Sequence, residues 1–278
     1  MSGASRHVYV CGHSLAELER LERQAAFFAD ISRKFLETAG AAAGMRVLDI
    51  GCGIGDFSFL AAHVVGTRGS VLGIDHAPEP IARAETRAQD DRVANIEFRH
   101  TAIADLPPGP LVDAVIGRFV LMHQADPSEL LRVAARHVRP GGIVAFLESH
   151  MSGLVEAVHS WPHSPIYDRI VGLITDVIRA AGAHADMGLR LRSAFLAAGL
   201  PAPRLWMQAR VEGGPDAPIY RYVADSLRSM LPLAERFGIT QLREAEIDEL
   251  ERQLRDEVTA TGGVLTSPIL VGAWCRVE

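Results

Sequence analysis

Val47-Leu48-Asp49-Ile50-Gly51-Cys52-Gly53-Ile54-Gly55-Asp56 reads as a buried strand, a glycine-rich turn and the first residue of a helix. The apolar run stops at Gly51, and a helix-compatible segment, Asp56 to Val65, follows. Glycines in the turn let the backbone bend tightly and approach a ligand with no Cβ in between. The helix N-terminus behind it offers free N–H groups and a partial positive charge, suited to a carboxylate or phosphate. Asp75 ends the next apolar run, 24 residues beyond Gly51. An acid there has two oxygens with which to hold ribose hydroxyls. A plain tight connection is the competing reading. The strand before, the helix after and the acid at the end of strand two favour a ligand site.

Outward from this turn, strands and helices alternate. Ser70–Asp75, Asn95–His100, Val112–Leu121 and Ile143–Ser149 read as strands, separated by helices near Pro80–Gln89 and Ser128–Val138. Arg139-Pro140-Gly141-Gly142 punctuates the approach to the fifth strand. Such alternation predicts an α/β fold: a Rossmann-like, doubly wound, seven-stranded and mostly parallel sheet with helical cap insertions. We divide the chain into a helical lid segment (1–44), a ligand-binding core (45–150) and the rest of the sheet with its cap (151–278). The insertions span about 151–190 and 215–262. Helices are expected within 155–185, at Arg190–Ala198, at Tyr220–Leu231 and at Glu244–Thr259, and strands at Arg204–Val211 and Pro268–Val277. Ser14 and Glu17 form a capping-box pattern ahead of a helix to Thr38. Gly-Gly at 213–214 and 262–263 reads as turn punctuation or as the hinges of a lid.

Composition narrows the function. The chain has 278 residues, 48% hydrophobic and 22% charged, which excludes disorder as the main state. The net charge of -6 gives no attraction to nucleic-acid phosphates. No run of about eighteen apolar residues occurs, so no membrane span is expected. Cys11, Cys52 and Cys275 are too scattered for a disulfide framework or zinc site. A cytoplasmic location is the expectation.

The motifs resemble those of the class I S-adenosylmethionine-dependent methyltransferases. VLDIGCGIG matches the first motif of that family: an apolar run, an acid, then G-x-G-x-G. VLGIDHA, DAVIGRFVLMH and the RPGG turn continue the likeness over about 45–150. The segment YVCGHSLAELERLERQ is similar to that of the bacterial small-molecule, natural-product branch. The resemblance implies that Gly51 and Gly53 meet the methionine end of the cofactor and that Asp49 holds its ammonium. It puts Asp75 on the ribose, His76 beside the adenine, and Ala102 and Ile103 against the ring. Ala102 departs from the Asp that many relatives carry there. Arg118 and His123 follow the fourth strand and would line the methionine half, with Gln24 and Tyr9 closing over it. For Arg118 a surface ion pair is the competing reading, for Gln24 plain helix surface, and for Tyr9 simple packing.

Methyl transfer from a sulfonium needs alignment and desolvation, and a base only if the acceptor must lose a proton. No metal is called for. Glu148 and His150, after strand five, are the candidates to orient or deprotonate an acceptor, together with His163. For Glu148 a structural carboxylate is an equal alternative. Phe119, Trp161, Tyr167 and Tyr220 are the candidate acceptor contacts. His159, His184, Trp206 and Tyr222 are weaker ones. The expected reaction is methylation of a small molecule, aromatic or heteroaromatic, on carbon, nitrogen or oxygen, in bacterial secondary metabolism. A homodimer is expected from the resemblance. The rivals are a nucleic-acid methyltransferase, a nicotinamide oxidoreductase and a binding module without chemistry. The first lacks a basic balance, and the second expects G-x-G-x-x-G.

Overall fold

Strand β1 (Arg46–Ile50) is buried at four of five positions and is flanked in parallel by β2 (Ser70–Asp75) and β4 (Val112–Arg118). Leu48 lies level with Leu72 on one side and Val115 on the other. In this computed structural model, which describes residues 15–107, 109–151 and 159–278, β3 (Ile96–His100) adds outside β2, and β5 (Val138–His150) outside β4. Burial on both faces explains why these strands read as continuous apolar runs. Two later strands complete the sheet. The last strand, β10 (Ile269–Arg276), runs antiparallel between β5 and β7 (Arg204–Gln208), giving the order β3-β2-β1-β4-β5-β10-β7.

Successive residues of β10 show that both faces are covered. A Cβ on Gly272 would stand 2.3 Å from the Phe35 ring of α1 (Leu15–Ala39). Its neighbour Val271 lies against Gly188 of α6 (Met187–Ala197). Helix α1 buries a stripe of Phe28, Ile31, Phe35 and Leu36, whose spacing matches the helical period. It packs on α2 (Asp56–Val65), so the segment read as a lid is also part of the core. Glu17 is buried and binds Arg20; Ser14, its expected capping partner, lies outside the described residues. Helices α3 (Pro78–Asp90) and α4 (Pro127–Ala135) fill the remaining connections.

The cap consists of α5 (Pro165–Ala180), α7 (Ile219–Arg236) and α8 (Glu244–Thr261), with α7 packed on α1, α5 and α8. A three-stranded sheet joins the two insertions: β9 (Val264–Thr266) lies between β6 (Ser160–Trp161) and β8 (Val211–Gly213). Strands of two or three residues are too short to show alternation, so the sequence did not reveal this sheet. Gly213 and Gly263, read as lid hinges or turns, meet here: a Cβ on Gly213 would stand 2.5 Å from the Gly263 carbonyl oxygen.

Gly272→Ala should lower the unfolding free energy by about 1–3 kcal/mol, because Phe35 must shift within a packed core. Gly172→Ala, in α5 with nothing within 4 Å of the added Cβ, should be neutral or mildly stabilising. Urea titration of both variants checks the contrast.

Candidate functional site

The turn after β1 is bent by three glycines at positive φ: Gly51 at 65°, Gly53 at 54° and Gly55 at 87°. Other residues pay about 1–2 kcal/mol for that conformation. Space adds a second constraint. A Cβ on Gly55 would lie 2.5 Å from the Phe98 ring, and one on Gly51 2.7 Å from Val120. At Gly53 nothing lies within 4 Å, so the backbone there faces an open cradle.

Asp75, at the end of β2, holds the turn in place. Its Oδ2 accepts the Gly53 amide at 2.9 Å and its Oδ1 the Ala77 amide at 3.0 Å. Oδ1 also faces His76 Nδ1 at 3.3 Å, and Oδ2 keeps a further lone pair. Beneath the turn, Asp49 Oδ2 accepts the Ser58 hydroxyl at 2.6 Å. Asp49 Oδ1 is buried with no hydrogen-bond partner among the described residues. Burial pushes the Asp49 carboxyl up to about 7, opposed by Ser58 and by the Arg118 charge. Arg118, at the end of β4, donates to Ser32 at 3.0 Å and lies over the Phe57 and Phe119 rings. Burial pulls its guanidinium below the usual value, and Asp56 and Asp49 pull it back.

The chain leaves β4 through Phe119, whose φ of 57° is rare for a non-glycine residue. Glu148 imposes this path. Its fully buried carboxylate accepts the amides of Val120 at 2.9 Å, Leu121 at 2.7 Å and Met122 at 3.3 Å. Burial lifts Glu148 to about 7 even against these three donors. The turn so held presents Phe119, Met122 and His123 to the site.

These elements meet in one cavity at the carboxyl edge of the sheet. Of the sequence candidates, Gln24, Gly51, Gly53, Asp75, His76, Arg118, Phe119 and His123 line it. So does Tyr222, rated lower from sequence, while Asp49 lies below the wall. Burial holds His123 down to about 4, so its imidazole is neutral at pH 7. Sequence reasoning missed Arg20 and Phe28 on α1, Asp56, Met122, Ser149 and Met151. It also missed Val171, Ile174 and Ile178 on α5, and Val223, Ser226 and Met230 on α7. Their spacing of three and four residues was the available signal, but it also fits ordinary core.

The other described candidates lie off the cavity wall. Glu148 lies off the cavity wall, and its two oxygens accept three amides, an arrangement that fits the structural-carboxylate alternative. His150 sits at the end of β5 paired with Ile269, off the cavity wall. His163 is 73% exposed and shares Asp168 with His159. Trp161 is 72% exposed. Tyr167 is buried, its hydroxyl donating to the Thr266 carbonyl, and the Tyr220 hydroxyl donates to that of Gly214. None of these lines the cavity. Ala102 and Ile103 also lie off its wall, next to Thr101, whose amide bonds the Asp75 carbonyl. Tyr9 lies outside the described residues.

Glu148→Ala leaves three buried amides without an acceptor and should cost at least about 3 kcal/mol, with Glu148→Gln milder, by chemical denaturation. Asp49 binds its proton more tightly folded than unfolded. Its stabilising contribution is therefore full below about pH 4 and lost as the pH rises through about 7. Asp49→Asn should flatten the decline in stability between pH 4 and 8 in part, leaving the shares due to Glu148 and Asp56, which burial also raises.

Comparison with known proteins identifies the family and the fold. The family described as "Methyltransferase domain" matches residues 41–181. The ubiquinone biosynthesis O-methyltransferase of Acinetobacter baumannii is 36% identical over 113 residues, 40% of this chain and 46% of that protein. The 2-phytyl-1,4-naphtoquinone methyltransferase of Synechococcus elongatus is 32% identical over 156 residues, 55% of this chain and 63% of that one. The chain spans about half the length of the curated relatives it matches. The fold is shared with the YcgJ protein of Bacillus subtilis, at a TM-score of 0.55 and 19% identity, over 90% of this chain and 100% of the other. The chain belongs to the class I S-adenosylmethionine-dependent methyltransferases.

Proposed function

We propose that this protein transfers a methyl group from S-adenosylmethionine to a small molecule, aromatic or heteroaromatic, in bacterial secondary metabolism. One observation carries the reading. The cavity has a polar wall of Gly51, Gly53, Asp75 and Arg118, and it continues into an apolar chamber under α5 and α7.

The polar wall suits the cofactor. Gly53 leaves room for close approach of the methionine end. The unpartnered oxygen of Asp49 suits its ammonium group, and the Arg118 guanidinium its carboxylate. Asp75 has lone pairs to spare for the ribose hydroxyls. When bound, the cofactor supplies a methyl group already activated on a cationic sulfur. The chain's part is alignment and exclusion of water by Phe28, Met122, Ile174, Val223 and Met230. Neutral His123 is placed to orient an acceptor by hydrogen bonding. With Glu148 buried off the cavity wall, acceptors that need no strong base are favoured. The aromatic preference is supported by the Phe28, Phe119 and Tyr222 rings of the wall, and by relatives named for ubiquinone and naphthoquinone chemistry. The secondary-metabolic setting rests on the N-terminal resemblance. We read the protein as cytoplasmic and dimeric, with no nucleic-acid partner. Among the described residues no helix is long and apolar enough to cross a membrane.

The test is incubation of the protein with methyl-deuterated cofactor and a bacterial metabolite extract, followed by mass spectrometry. A labelled small molecule is the expected result; label only in nucleic acid or protein would sink the reading. Asp75→Ala should weaken S-adenosylhomocysteine binding by about 1–3 kcal/mol in calorimetry, and unchanged affinity would remove the ribose role.

A further inference from the structure

A second cleft lies beside the cavity, and Arg20, Gln24 and Tyr222 line both. It is further walled by Arg23, Arg210, Arg221 and Asp225. Asp225 is 4% exposed. It accepts Nε of Arg23 at 2.7 Å, Nε of Arg221 at 3.1 Å and Nη1 of Arg228 at 2.5 Å. One buried carboxylate thus faces three guanidinium groups. Arg228 also reaches Asp248 at 2.6 Å. Arg20 is matched by Glu17, and Arg210 by Glu212. The surplus positive charge falls on Arg23 and Arg221.

These two side chains are 44% and 57% exposed. Each binds Asp225 through Nε, and no hydrogen bond among the described residues engages Nη1 or Nη2 of either. Asp225 fixes both groups by one edge and leaves their outer donors unused. A guanidinium so held binds a carboxylate or phosphate through parallel N–H bonds. The neighbouring chamber is unsuited to an anion, because its α5 and α7 walls are mainly apolar and burying an unpaired charge is costly.

We propose that this cleft is the subsite for an anionic group, a carboxylate or phosphate ester, carried by the methyl acceptor. The acceptor's apolar body occupies the chamber, and its charged arm passes Gln24 and Tyr222 to reach Arg23 and Arg221. The assignment rests on the methyltransferase reading of the chamber. It adds to it a substrate class: amphiphilic acids in preference to neutral molecules of the same shape.

The experiment is calorimetry on protein saturated with S-adenosylhomocysteine, using 4-phenylbutyrate and 4-phenyl-1-butanol as probes. They share a ring and an arm and differ in charge. The acid should bind about ten-fold more tightly at low salt, an advantage that shrinks as salt is added. Arg221→Gln, and separately Arg23→Gln, should cut that advantage to about two-fold or less, a loss of about 1 kcal/mol or more. Affinity for the alcohol and for S-adenosylhomocysteine should stay unchanged in both. Equal binding of the two probes, binding of neither, or an advantage that survives both substitutions overturns the proposal. So does weakened S-adenosylhomocysteine binding in the variants, which would give the arginines to the cofactor. Failure of the unaltered protein to bind S-adenosylhomocysteine would instead overturn the methyltransferase reading.

Discussion

The carboxylate of Glu148 holds the amides of Val120, Leu121 and Met122 inside the protein, and the site takes its shape from that grip. β4 and β5 run parallel, so Glu148 lies beside the point where the chain leaves β4. Three donors converge there because the chain turns at once, through a strained Phe119. An unfavourable φ of this kind persists only where the surroundings enforce it, and such residues gather at functional sites. Removing the carboxylate would free the turn carrying Phe119, Met122 and His123. The polar wall would then lose its fixed relation to the chamber.

The electrostatics of the cavity follow from the same edge of the sheet. β1, β2 and β4 end side by side, bringing Asp49, Asp75 and Arg118 together with Asp56 at the start of α2. The glycine-rich turn passes between them, and Asp75 clamps it by the Gly53 amide. Two carboxyl groups raised by burial, Asp49 and Asp56, lie near one buried guanidinium. Such a group of charges suits a ligand that bears both signs, as a methionine-derived cofactor does. The arginine-rich cleft across Gln24 and Tyr222 has the opposite character, with guanidinium groups exceeding the acids that hold them.

The turn was legible because its requirements are local. Positive φ at Gly51, Gly53 and Gly55, an apolar strand before and a helix after all appear within ten residues. Helix α2 occupies the expected Asp56–Val65, and α8 starts at the expected Glu244. The polar wall was legible for the same reason, since strand ends in an alternating α/β pattern fall on one edge. The acceptor side was not. Trp161, His163 and Tyr167 were chosen for their chemistry, yet one is exposed, one is paired with Asp168, and one is spent on the Thr266 carbonyl. Val171, Ile174 and Val223 were not singled out, because an apolar helix face looks the same over a cavity as over a packed neighbour.

From its amino-acid order alone, this chain determined an alternating α/β sheet, a tight glycine-rich turn at residues 51–55 and an acid at Asp75. These depend on neighbours in sequence: backbone conformation, burial periodicity and helix starts. Tertiary structure alone decided that Glu148 accepts three buried amides and that α5 and α7 roof the cavity. It alone placed Arg23 of α1 and Arg221 of α7 on one buried Asp225. Those outcomes depend on contacts between separate segments, 26–28 residues apart at Glu148 and 202 apart between Arg23 and Asp225, and no local preference encodes which face of one helix will meet another.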